Sequence, residues 1–109
     1  MNRGDIWWVK FDPSVGGEIQ KKRPAVIISN DKANKHLNRV QIVPLTSSVD
    51  KLYPAEVYVM FGGKRGKALP SQIATVSKLR MLNFAGRLSN SDFEEVERGV
   101  MIQLGFRRK

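Results

Sequence analysis

Three side chains of complementary chemistry fall in the first half of the chain: Glu18, Arg23 and Thr46. Arg23 closes the charged run Glu18-Ile19-Gln20-Lys21-Lys22-Arg23 and precedes the apolar run Pro24-Ala25-Val26-Ile27-Ile28. Proline disfavours helical angles in the residue before it and is tolerated as the first residue of a strand, so Arg23 is predicted to project from the rim of a sheet. A guanidinium held there presents a fork of donors matched to a phosphate. Glu18 has the acidity of a general base, and the Thr46 hydroxyl is a donor that can orient a phosphate. This set suffices for RNA cleavage in which the substrate supplies its own nucleophile, the 2′-hydroxyl. The protein then has to align that group, stabilise the pentavalent charge and manage protons. Arginine, with a pKa above ~12, is a poor proton carrier. The same residues also fit a plainer role, in which Arg23 binds backbone phosphate, Thr46 satisfies a strand end and Glu18 is a loop charge.

Other chemistries are poorly provided for. His36 is the single histidine, in a polar stretch, so a two-histidine acid–base pair cannot be built within one chain. There is no cysteine, no HExxH motif and no close carboxylate pair outside the C-terminal segment. The chain is therefore expected to use no metal and no cofactor, and any phosphodiester chemistry should proceed in chelator.

The elements that must position these residues read as short strands. Residues 6–11 alternate, with Ile6 and Trp8 on one face and Trp7, Val9 and Phe11 on the other, both partly buried. Asp12-Pro13 and Gly16-Gly17 mark a turn and a mobile loop that lasts to Pro24. Residues 25–28 form a core strand, and residues 30–38 a loop or a single helical turn. In residues 40–47 the apolar positions slip from Val40 and Ile42 to Val43 and Leu45 around Pro44, which predicts a bulge or edge kink that re-aims Thr46, Ser47 and Ser48. Residues 55–61 alternate cleanly as a half-exposed strand. Gly62-Gly63-Lys64-Arg65-Gly66-Lys67 reads as its basic turn, residues 69–76 as a weaker strand and residues 86–88 as a short closing strand. Ser91 and Glu94 suggest a capping box for a C-terminal helix that presents Phe93, Val96, Val100 and Leu104 on one face and stops at Gly105. The order implies one mainly β domain over residues 1–109, a small partly open β-barrel packed by a terminal helix.

Nineteen basic against ten acidic residues give a formal charge of +9, and Asp92, Glu94, Glu95 and Glu97 gather four of the acids in the helix. Such a field attracts polyanions. Lys21 and Lys22, facing Lys64 and Arg65, would form a groove for single-stranded nucleic acid, although for the second pair alone a solvated hairpin tip is the more common explanation. Trp7, Trp8, Tyr53 and Tyr58 are available to stack on bases, the tryptophans more readily as core or dimer interface. With no signal-like N-terminus and no membrane-length apolar run, a soluble cytoplasmic protein with no membrane partner is expected.

Taken in order, Gly4-Asp5-Ile6-Trp7-Trp8-Val9, Phe11-Asp12-Pro13, Gly17-Glu18, Arg23-Pro24-Ala25-Val26-Ile27-Ile28, Ile42-Val43-Pro44-Leu45-Thr46 and Tyr53-Pro54 resemble the MazF/PemK/Kid family of toxin endoribonucleases. The likeness continues through Ala68-Leu69-Pro70-Ser71-Gln72-Ile73, Thr75-Val76 and Arg87-Leu88 to the terminal helix, and no single motif carries it. It implies an SH3-like barrel of the CcdB/PemK superfold and a homodimer. It further implies sequence-specific, metal-independent cleavage of single-stranded mRNA that leaves a 2′,3′-cyclic phosphate and a 5′-hydroxyl. A cognate antitoxin with an acidic C-terminal tail would occupy the basic grooves and carry the complex onto operator DNA. By position, the family's catalytic arginine falls on Arg23 and its threonine on Thr46. Its RNA-contacting glutamate falls on Glu18, and Arg3, Asn30 and Gln72 fall on positions that line the groove.

Two positions depart from the family pattern: Ile19, where glutamine is frequent, and Ala74, where arginine is frequent. Both bear on base choice more than on the reaction. A non-catalytic toxin of the same superfold that poisons DNA gyrase is the alternative, which the C-terminal Phe106-Arg107-Arg108-Lys109 does not favour. A plain RNA-binding module is the third reading.

Overall fold

A computed structural model describes residues 1–106. Seven strands, β1 (Asp5–Lys10), β2 (Lys22–Ile27), β3 (Arg39–Thr46), β4 (Val57–Phe61), β5 (Lys64–Ala68), β6 (Ala74–Ser77) and β7 (Met81–Arg87), form one antiparallel sheet. Its order is β4-β5-β3-β2-β1-β7, with β6 also pairing β3. Two helices accompany it, α1 (Asp31–His36) and α2 (Asn90–Leu104), so the mainly β fold with a terminal helix is as expected. Among the described residues no helix is long and apolar enough to cross a membrane.

β3 organises the molecule because both its faces are buried. Val43 and Leu45 enter one core with Ile6, Val26, Val59, Ala68, Leu88 and Val96, the last of these from α2. Val40 and Ile42 enter the other with Val9, Ala25, Ile27, Val76 and Met81. The apolar positions that look like a slip around Pro44 are therefore unbroken alternation on a strand covered twice. No bulge is needed, and β2 and β3 pair without a shift through Ala25↔Pro44, Val26↔Val43 and Ile27↔Ile42. The irregularities lie instead between β1 and β7, where register shifts fall between Ile6 and Trp7 and between Trp8 and Val9.

Five other expectations are corrected. Only Gly62 and Gly63 make the β4–β5 turn, both at positive φ, and Lys64–Ala68 is a strand rather than a basic loop. Residues 69–76 divide into a 3-10 turn at Pro70–Gln72, which starts on a proline, and the strand β6. The closing strand is longer than residues 86–88, running from Met81 to Arg87, because it pairs with β1 from Asp5 to Val9. Helix α2 begins earlier than a Ser91 cap implies, since the Ser89 hydroxyl accepts from the Asp92 N–H at 3.1 Å. The Asp92 carboxylate in turn accepts from the Met60 N–H at 2.9 Å and ties the helix to β4. Phe93, Val96 and Val100 face the core as expected, whereas Leu104 is exposed just before the left-handed Gly105 ends the helix.

Candidate active site

Arg23 and Thr46 come together at the mouth of the sheet. β1 pairs with β2 from Lys22 onward, whereas β3 joins β2 only at Ala25. Pro24 thus sits where the strand still has a free edge, and its missing N–H leaves no ladder bond unmade. The arrangement differs slightly from Pro24 as a first strand residue, since β2 starts at Lys22, yet Arg23 is exposed at the rim as expected. Arg23 and Thr46 line one cleft of ≈ 250 Å³ with Trp8, Lys22, Ser47 and Phe61. Trp8 lies there because it is the cross-strand partner of Pro24, and Phe61 because it ends β4.

The donors in this cleft are available. Arg23 Nε makes one long contact to the Gln20 carbonyl at 3.4 Å, and the terminal nitrogens have no hydrogen-bond partner among the described residues. Thr46 Oγ1 accepts from the Ser48 N–H at 3.2 Å, which fixes the hydroxyl while leaving its proton to donate outward. Gly66 lies behind them, and a Cβ there would stand 2.6 Å from the Thr46 carbonyl and 2.8 Å from the Phe61 ring. Two free guanidinium nitrogens, one hydroxyl and the Lys22 chain beside an aromatic face can hold a phosphate next to a stacked base.

Glu18 and Gln72 are placed in a second cleft, of ≈ 390 Å³, between the β1–β2 loop and β6. Glu18 Oε1 accepts from the Val15 N–H at 2.6 Å within the loop. The Gln72 amide straps the loop down, accepting from the Ile19 N–H at 3.2 Å and donating to the Gly17 carbonyl at 3.0 Å. Arg80 braces the loop base through the Lys10 carbonyl at 3.0 Å and the Asp12 carbonyl at 2.8 Å. Ile19 and Ala74, the two departures from the family pattern, also line this cleft.

The remaining candidates are occupied elsewhere. The Arg3 guanidinium bonds Glu97 and the Ile28 carbonyl and lies 4.8 Å from the Phe93 ring centroid, packed onto α2. Asn30 caps α1, accepting from the Ala33 N–H at 2.8 Å. The neighbouring Asp31 carboxyl is held below its ordinary value, first by the Arg3 N–H and further by the Asn34 amide and the Arg87 and Arg3 charges, against a desolvation effect in the other direction. Lys64 pairs with Phe61 at the end of the hairpin. Arg65 points to the opposite face, its guanidinium 3.7 Å from the Tyr58 centroid, so it does not join Lys21 and Lys22 in one groove. Lys21 serves through its backbone, at φ +64° with its N–H on Asp12 at 2.9 Å. Phe61 is the cleft residue that sequence reasoning missed, whereas Trp8 was one of the aromatics available to stack on bases and Ser47 follows Thr46 in the same run.

The family model for PemK-like, MazF-like toxins of type II toxin–antitoxin systems matches residues 2–104. The chain belongs to that family. The toxin is 34% identical, over 95% of its length and 96% of the relative's, to the Mycobacterium tuberculosis protein named endoribonuclease MazF9. It is also similar, at 47% identity over 57 residues, to probable endoribonuclease MazF1 of the same organism, where 48% of this chain and 61% of the relative align. Among solved structures it resembles MazF of Deinococcus radiodurans, with a TM-score of 0.86 at 25% identity over 97% of each chain. A mycobacterial endoribonuclease in complex with its cognate antitoxin shares the fold, with a TM-score of 0.84 at 19% identity over 100% of this chain and 99% of that one. Residues 107–109, which bear on the gyrase alternative, lie outside the described residues.

Proposed function

We propose that this toxin is a metal-independent endoribonuclease that cuts single-stranded mRNA by attack of the substrate's own 2′-hydroxyl. The observation that carries the reading is the shared cleft of Arg23 and Thr46, with two guanidinium nitrogens and a hydroxyl proton unspent. The 2′-oxygen bonds to phosphorus and the bond to the 5′-oxygen breaks, leaving a 2′,3′-cyclic phosphate and a 5′-hydroxyl. Arg23 stabilises the equatorial oxygens as charge develops, and Thr46 orients the phosphate. At this open cleft the 2′-proton passes to water and the leaving oxygen takes one from water. Glu18 and Gln72, lining the second cleft, are assigned to contact with the RNA strand, and Trp8 and Lys22 to the base and phosphate beside the scissile bond. The 34% identical relative, itself named an endoribonuclease, supports the activity.

The same reading makes residues 1–109 one cytoplasmic toxin domain acting as a homodimer. Its partner is an antitoxin whose acidic tail binds the basic clefts and whose DNA-binding part takes the pair to operator DNA. The formal charge of +9 supports an acidic partner. The test is incubation of the purified protein with a long single-stranded RNA in EDTA, with ends mapped by primer extension and typed by phosphatase and kinase treatment. Discrete cuts with cyclic phosphate ends are expected. Intact RNA with a folded protein transfers the assignment to RNA binding or gyrase poisoning.

A further inference from the structure

One charged pair lies inside the protein and the proposed reaction makes no use of it. Lys67 of β5 is 6% exposed, and its ammonium pairs with the Glu56 carboxylate at 2.7 Å, the two side chains only 8% and 12% exposed. The same ammonium donates to the Lys51 carbonyl and lies 5.5 Å from the Tyr53 ring centroid. Glu56 Oε1 also accepts from the Tyr53 N–H at 2.9 Å, and the Glu56 N–H returns to the Tyr53 carbonyl at 3.0 Å. Residues 51–56 are thus wound around one buried charge. Removing a single member would strand the other in a poorly solvated site.

That segment leads directly from the cleft. Thr46 and Lys67 are register partners across β3 and β5, and residues 47–56 leave the sheet at Thr46 and come back to Lys67 through Lys51 and Glu56. Near its start the segment is tied to Thr46 Oγ1 by the Ser48 N–H, and the Val49 carbonyl accepts from the Tyr58 hydroxyl at 3.4 Å. At its far end Ala55 stands at φ +73° with its carbonyl packed against Gly99 of α2.

We infer that Lys67 is a positioning residue: its buried charge holds the 47–56 segment closed and so fixes the Thr46 hydroxyl and Ser47 against the Arg23 guanidinium. The inference rests on the proposed ribonuclease reading for its catalytic consequence, though not for the structural one. Its signature is a loss in turnover with little change in substrate binding, because the misplaced group aligns the phosphate instead of holding the strand.

The experiment compares wild type with Lys67→Met, Lys67→Arg and the double variant Lys67→Met/Glu56→Leu. The double variant replaces the pair by apolar side chains and keeps a folded protein in hand where the single change strands Glu56. Amide hydrogen exchange of residues 47–56 and kcat and KM on single-stranded RNA are measured for each. Lys67→Met and the double variant are expected to exchange at least about tenfold faster at Ser48 and Glu56. Their kcat is expected to fall roughly ten- to a hundredfold with KM within about twofold. Lys67→Arg keeps the charge and is expected to recover most of both. Unchanged exchange in a folded double variant overturns the inference, as does faster exchange with unaltered kcat. In a protein that cuts no RNA the exchange result alone decides whether Lys67 holds the segment, so the two readings fail separately.

Discussion

Replacing Gly99 by alanine tests how tightly the 47–56 segment is seated on helix α2. In an exposed helix this change is stabilising by up to about 1 kcal/mol, since glycine is the poorer helix former. At this buried position the added Cβ would stand 2.3 Å from the Ala55 carbonyl oxygen and 3.0 Å from Pro70 Cγ, the first contact about an ångström short of ordinary van der Waals separation. The carbonyl is backbone, held between the positive-φ Ala55 and the Glu56–Lys67 pair, so it cannot rotate aside as a side chain would. Overpacking of this kind costs about 1–3 kcal/mol and outweighs the propensity gain. A net loss near 1–2 kcal/mol corresponds to a fall of roughly 5–15 °C in Tm for a domain of this size. Circular dichroism melting of Gly99→Ala beside wild type reads it, with urea unfolding as a second measure. A Tm equal to or above that of wild type would refute the packing argument and the seating of the segment with it.

Gly66→Ala is expected to cost about 1–3 kcal/mol by the same overpacking, and to slow RNA cleavage beyond that loss because its Cβ pushes the Thr46 carbonyl and the Phe61 ring. Melting and cleavage assays on one preparation check both effects. Arg3→Ala should lose about 0.5–1.5 kcal/mol from a half-exposed ion pair and a cation–π contact, measured by urea unfolding, while single-turnover cleavage stays within about twofold of wild type. Asp31 has a carboxyl held below the ordinary 3.8, so its stabilisation is complete above that value and disappears as pH falls through the depressed one. The stability gap between wild type and Asp31→Asn should accordingly narrow from about pH 7 to about pH 2 in urea titrations.

The rim arginine was legible because proline acts locally: Pro24 confines Arg23 and tolerates only an edge, and both are properties of two neighbouring residues. The β3 alternation was visible too, but its meaning depended on a second core that no window of sequence reveals. Val40 and Ile42 meet Val9 and Val76, whereas Val43 and Leu45 meet Val59 and Val96. Lys64 to Lys67 read as a turn because their side chains are polar or absent. They form a strand because Gly66 lets β5 pass against Thr46 and because Glu56 gives Lys67 a buried partner eleven residues upstream. At the site, the ordered motifs pointed to Arg23 and Thr46, and both line one cleft. The separation of Glu18 into a second cleft depends on the Gln72 strap and Arg80 brace, contacts spanning more than fifty residues.

Whether Arg23 and Thr46 act as one phosphate-handling pair is decided by single-turnover cleavage of a mapped RNA by Arg23→Ala, Thr46→Val and the double variant in EDTA. Each single change is expected to lower the rate by about a hundredfold or more, Arg23→Ala at unaltered Tm, with the double variant losing less than the product of the two single losses. A folded Arg23→Ala protein that still cuts at the wild-type rate would contradict the pairing.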